Sequence, residues 1–166
     1  MENIISSTTG LFHTIFASIA VITGAITLVN PKGTKFHKIV GYIYVVAMLL
    51  MNATAFGIYR LFGGFGVFHF FALFSLFALF GGMYPVLFRK KVKDWYIEHL
   101  KVMSWSVVGL YAALAAEIGV RFFEPRFFFW IVGLSGGFIT TIGAVLIRRR
   151  IRIEQTRRIT TTNIGY

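Results

Sequence analysis

Five stretches of this chain are each long and apolar enough to cross a lipid bilayer, and only short polar breaks separate them. A helix needs about 20 predominantly apolar residues to span the hydrocarbon core. The runs cover residues 11–29, 39–62, 67–88, 102–120 and 127–147. The breaks carry loop chemistry: Pro31 and Gly33 in the first, Gly63, Gly64 and Gly66 in the second, a charged stretch over 89–101, and Pro125 in the last. Apolar residues make up 57% and charged ones 14% of the chain, against roughly 25% charged in a soluble domain. A globule of this size cannot hide so much apolar surface from water. A soluble enzyme, a disordered chain and a secreted disulfide scaffold are therefore excluded. Cysteine is absent, which removes disulfides, thiolate zinc sites, iron–sulfur clusters and covalent haem attachment.

The expected fold is an all-α integral membrane protein with five transmembrane helices. Short connections make the first four an up-down antiparallel bundle. Residues 1–147 form the membrane domain and 148–166 a basic tail. The opening MENIISSTTG has no basic n-region, so the first span is expected to be a mature helix and not a signal peptide. Basic residues in short loops set orientation. Lys32, Lys35, Lys38, Arg89, Lys90, Lys91, Lys93, Lys101 and the six tail arginines from Arg148 to Arg158 fall on one side. Arg60, Arg121 and Arg126 fall on the other. The N-terminus is thus expected outside and the C-terminus in the cytoplasm, as in a multi-pass protein of a bacterial inner membrane. With this hydrophobicity, the formal charge of +11 points to the bilayer and its anionic inner-leaflet lipids and not to nucleic acid. The tail is expected to lie on that leaflet, or to serve only as a stop-transfer anchor.

All four histidines, His13, His37, His69 and His99, are expected in the first turns of the first four helices, one on each. Because the helices alternate in direction, His13 and His69 belong to an outer layer and His37 and His99 to an inner one. Alternate helices of a four-helix bundle face each other diagonally, so each pair suits bis-imidazole ligation of haem b, two haems in all. The span from His13 to Val29 covers about 24 Å at 1.5 Å per residue, room for two stacked groups. The helix faces that carry His13, Ala17, Ala20 and Gly24, and His37 and Gly41, hold small residues that leave space. The face of His99 carries Met103, Ser106, Leu110, Ala113 and Glu117. Lys38 and Lys101 on the inner side, and Arg60 and Arg121 on the outer, would meet haem propionates. A quinone or small reductant would be the redox partner. The plainer account of each feature is also open: interfacial histidines snorkel, small residues serve helix packing, and basic residues serve topology. Two other classes stay open as well. One is a membrane metalloprotein or hydrolase with zinc or iron between His13, His69 and Glu117. The other is a cofactor-free scaffold. Glu117 and Arg121 stand at i, i+4 and are expected to pair on their own helix. Pro85 is expected to kink or end span three.

These residues also carry a family resemblance. Lys32-Gly33, His37-Lys38, Gly41-Tyr42, Tyr44 and Met48, then Phe68-His69, then His99 and Met103 leading to Arg121, resemble the bacterial predicted membrane proteins catalogued as domain of unknown function 2306. The resemblance runs over roughly residues 12–121 and leaves span five outside. Family members often have Arg directly after the second and fourth His, where this chain has Lys38 and Leu100-Lys101. The histidine layout is similar to that of two-haem transmembrane b-type cytochromes, and by that likeness implies a transmembrane oxidoreductase.

Overall fold

The computed structural model describes residues 7–58 and 63–164, with side chains to residue 160. Its five long helices are α1 (Thr8–Val29), α2 (Lys35–Ala55), α3 (Val67–Leu87), α4 (Trp95–Phe122) and α5 (Phe128–Ile164). A 3-10 turn, Pro125–Phe127, leads into α5. All five helices are long and apolar enough to cross a membrane, so the chain is an all-helical, multi-pass membrane protein.

Helices α1 and α2 start earlier than their apolar runs because caps, and not hydropathy, set those ends. Ser7 caps α1 by accepting from Gly10 N–H at 3.1 Å, and Thr34 caps α2 by accepting from His37 N–H at 3.0 Å. The apolar run expected over 39–62 is therefore helical from Lys35, and its helix stops at Ala55. Gly57 N–H and Ile58 N–H close tight turns onto Thr54 and Ala55, at 3.0 and 3.1 Å. Charged residues occupy the first turns of α4, which begins at Trp95 and not at residue 102. At the other end of the chain, α5 does not stop with the apolar run at 147 but continues through the arginines. At 1.5 Å per residue its 37 residues reach about 55 Å, well beyond a hydrocarbon core of about 30 Å.

The chain divides into two compact units, Met1–Leu79 and Phe80–Tyr166, with the division inside α3. In the first, α1 packs on α2. Ala20, Tyr44 and Met48 are fully buried, and Asn52 is 1% exposed. A buried amide needs partners, and Asn52 Nδ2 donates to Met48 O at 2.7 Å and to Ser75 Oγ at 3.1 Å. In the second unit α4 packs antiparallel on α5. The register is marked by Gly119 against Ile131, Val108 against Gly143, and Tyr96 beneath Arg158. Hydroxyls inside the spans satisfy themselves on their own helix: Thr14, Ser18, Thr23, Ser135 and Thr140 each donate to a carbonyl one turn back. No water is needed for them. Large rings such as Phe77 and Trp130, 74% and 70% exposed, present the apolar surface that a bilayer covers.

Candidate functional site

Four histidines on four helices form the candidate set, and the hydrogen bonds of their rings separate them. His37 and His69 lie in the first turns of α2 and α3, while His13 and His99 lie one turn in, because α1 and α4 begin earlier than their apolar runs.

His13 belongs to α1, and its Nδ1 lies 3.1 Å from Met51 O and 3.2 Å from Thr54 Oγ1, both on α2. Thr54 gives its own hydroxyl proton to Leu50 O and Met51 O, at 2.9 and 2.8 Å. A carbonyl oxygen only accepts, so Nδ1 of His13 carries the proton and the ring lone pair sits on Nε2. His99 repeats the arrangement in the second unit. Its Nδ1 lies 2.8 Å from Gly82 O on α3, which again fixes the proton on Nδ1. Lacking an N–H, Pro85 cannot close the helix bond to Gly81 O, and the ladder is weakened at this turn. Gly82 also lets α4 approach: a Cβ there would sit 2.5 Å from Met103 Sδ and 3.2 Å from Met103 N. An imidazole whose Nδ1–H is tied to a backbone carbonyl is oriented for ligation through Nε2, the usual support of a metal-bound histidine.

His69 is the reverse. Gly66 N–H donates to its Nδ1 at 3.0 Å, so Nδ1 accepts and the neutral ring carries its proton on Nε2. Gly66 immediately precedes α3 and His69 is the third residue of the helix. The geometry is that of a capping box, in which the third side chain reaches back to the N-cap amide. The ring is 4% exposed, stacks on Phe65 at 4.7 Å between centroids and lies 6.2 Å from Phe56. To ligate iron through Nε2, His69 would have to give up this cap. As found, it does not fit the role of the second outer ligand expected beside His13. Replacing His69 by Gln tests the cap, since a Gln Oε1 can accept the same Gly66 N–H and Ala cannot. His69→Ala is expected to cost about 1–2 kcal/mol, as loss of an N-terminal cap does, and His69→Gln well under half of that, read from thermal unfolding in detergent. Equal losses in both variants would show that the cap contributes nothing.

His37 is half-buried, and one turn further on Gly41 has open space where a Cβ would stand. Beyond it on the same face, however, Tyr44, Met48 and Asn52 are packed core, so the opening is confined to the end of α2. Among the expected propionate partners, Lys38 is exposed. Lys101 pairs with Glu98 at 2.7 Å, and Arg121 pairs with Glu117 at 2.7 Å across i, i+4. Arg60 lies outside the described residues. Exposed pairs of this kind hold their partners by no more than about 1 kcal/mol, so either cation can be recruited by a stronger anion. Among the described residues, no three His, Asp or Glu side chains gather as a group that could hold a metal ion.

The acceptors of the two ligand-competent rings, Met51 O, Thr54 Oγ1 and Gly82 O, escape sequence reasoning because backbone carbonyls carry no residue signature. No curated protein and no solved structure matches the chain. The family described as predicted membrane protein (DUF2306) matches residues 10–146, so span five, which the sequence resemblance leaves outside, lies within it. With that match over most of its length and five apolar helices behind it, the chain belongs to the DUF2306 family of predicted membrane proteins.

Proposed function

We propose that this membrane protein is a b-type haem protein that carries electrons across the bilayer, with His99 as the inner iron ligand and His13 as the outer one. A single observation carries the reading. Both rings hold their Nδ1 proton against a backbone carbonyl, at 2.8 and 3.1 Å, which leaves the lone pair on Nε2 and the ring fixed in direction. The absence of cysteine excludes covalent haem attachment and agrees with a non-covalent haem such as haem b. When bound, haem supplies a one-electron couple. The protein's part is to orient the imidazoles, exclude water with apolar walls and neutralise the propionates. Lys101 stands two residues after His99, and the register of α4 on α5 sets Arg152 about level with it, so two cations lie at the same end of the unit. His37, the second ligand expected from the sequence on the inner side, stays within the proposal, and Gly41 beside it provides room. His69 does not, for the reason of its cap. The zinc or iron alternative built on His13, His69 and Glu117 has no comparable support, since it too needs His69, whose Nδ1 is held by Gly66 N–H.

The deciding measurement is a reduced-minus-oxidised visible spectrum of the purified chain, with haem and metal quantified on the same sample. The reduced α and β bands of a b-type haem are expected. A featureless spectrum from protein expressed with ample haem would sink the reading.

The orientation belongs to the same proposal, because it decides which ligand faces the cytoplasm. With spans that alternate in direction, fourteen of the seventeen basic residues in the sequence fall to one side, and a positive side that faces inward supports the orientation proposed. The chain has no cysteine, so one introduced at Lys91 is the only thiol present. It is expected to react with a membrane-impermeant maleimide only after the cells are opened. Labelling of intact cells would reverse the orientation.

A further inference from the structure

Glycines of two kinds lie along α5 in the second unit. At Gly143 the helix meets α4: a Cβ there would stand 2.6 Å from both Val108 methyls, so close approach within the chain explains the residue. Gly133 and Gly137 differ. Both are exposed, and no side chain or backbone atom lies within 4 Å of a Cβ built on either. A glycine inside a helix costs about 0.5–1 kcal/mol relative to alanine, and lipid chains return nothing for it, since they pack against alanine equally well. What a bare backbone gains is the close approach of another helix. Thr141 continues the row by one more step of four; it is exposed, and its hydroxyl is spent on Gly137 O at 2.7 Å. A large apolar side chain directly follows each member of the row: Leu134, Phe138 and Ile142, exposed by 67%, 69% and 44%. Groove and ridge therefore run side by side along i, i+4 lines, which makes the face complementary to itself. α5 is also the least covered span, with 11% of its most apolar stretch buried against 17% to 33% in the other four.

We infer that this face of α5 is a homodimer interface, in which the ridge of each copy fills the groove of the other about a twofold axis. The interface is independent of the haem reading. Copies in one membrane share an orientation, so the two helices run parallel, and i, i+4 rows of small residues select a right-handed crossing of about 40°. The charges agree with that geometry. Residues 127–147 carry none. Just before them the exposed Glu124 and Arg126 pair at 2.8 Å and bring no net charge to that end. At the other end the arginines begin, and there the crossing matters. Arg149 follows Gly137 by twelve residues, about 18 Å of helix, over which a 40° crossing parts the axes by about 12 Å more. That exceeds the Debye length of about 8 Å at physiological salt. The two arginine clusters are thus kept apart, where a nearly parallel coiled coil would hold them together.

Disulfide cross-linking of the full chain in native membranes tests the interface. The chain has no cysteine, so Thr141→Cys and Leu146→Cys each carry a single thiol, the first within the groove and the second 58% exposed on another side of the helix. Mild oxidation is expected to give a species of twice the chain mass from Thr141→Cys and little from Leu146→Cys. In mild detergent, Gly137→Ile should weaken dimerisation about 10- to 100-fold, the effect of overpacking a close contact, while Gly136→Ala, one position off the row, should leave it unchanged. The cross-link decides the matter should Gly137→Ile fail to fold. No cross-link from Thr141→Cys would overturn the interface, the face then being covered by lipid or by other helices of the same chain. Equal cross-linking at both positions would do the same, since it means random collision, and so would a product that joins Thr141→Cys to a protein of another mass.

Discussion

Gly143→Ala is expected to be among the most damaging small substitutions in the chain. A Cβ at that position would stand 2.6 Å from both methyls of Val108 and 3.1 Å from its Cβ. Valine is branched at Cβ and strongly restricted at χ1, so it cannot swing aside as a long flexible chain would. The two helices must separate. Between membrane helices, close approach at small residues supplies much of the association energy, because lipid tails compete equally for ordinary apolar side chains. A loss of about 1–3 kcal/mol is expected, the range for overpacking a tight interior. The same helix supplies the control. Gly136 has nothing within 4 Å of a built Cβ, so Gly136→Ala is expected to be neutral or to gain up to about 1 kcal/mol, the helix-propensity difference between the two residues. Unfolding in mixed micelles by titration with a denaturing detergent measures both. Similar midpoints for the two variants would refute the close α4–α5 contact. Gly82→Ala belongs in the same comparison, since its Cβ would meet Met103 Sδ at 2.5 Å but also Met103 N at 3.2 Å. The sulfur can move and the backbone cannot.

The contrast between Gly143 and Gly136 shows where sequence reading stops. Both are glycines in one apolar run, and nothing in their spacing says which faces a partner helix. That five helices exist is legible, because runs of about 20 apolar residues leave the bilayer no other way to satisfy the backbone. The ends are not legible by hydropathy, because the first turns of α2 and α4 are charged: Lys35 and Lys38 in one, Glu98 and Lys101 just inside the other. Counting apolar residues removes those turns, whereas Thr34 as a cap restores the first. The continuation of α5 through its arginines is missed for a related reason. Arg is a strong helix former, but a basic segment after an apolar run reads as a tail. At the candidate site, the positions of the histidines are legible and their proton positions are not. His13 and His69 look equivalent in the sequence, each near the start of a span. One ring donates to Met51 O and the other accepts from Gly66 N–H, a difference that depends on which backbone group the fold brings to Nδ1. The pairing of Glu117 with Arg121 is the opposite case: i, i+4 spacing on a helix is enough to place it.

That difference in proton position makes the strongest prediction for the haem reading. With His99 and His13 as the ligands, each ring is needed for one group, and His69 for neither. His99→Ala is expected to remove about half the haem absorbance of a chain that carries two, and His13→Ala the other half, because loss of an axial imidazole leaves iron without its protein bond. His69→Gln should retain all of it, as the cap is preserved and no ligand is removed. His37→Ala separates two coordination states: loss equal to that of His99→Ala identifies His37 as the sixth ligand, while a retained but broadened, high-spin spectrum identifies it as a neighbour only. The supporting carbonyl gives a finer test. Gly82 O holds the Nδ1 proton of His99 at 2.8 Å, and such second-shell bonds raise the basicity of the ligand nitrogen, so weakening one costs about 10- to 100-fold in affinity. Gly82→Ala presses a Cβ against Met103, 3.2 Å from its backbone N, and pushes α4 away from that carbonyl. It is expected to weaken haem retention on dilution. Haem loss confined to His69→Gln, with His13→Ala and His99→Ala unaffected, would invert the assignment and end the argument from the ring protons.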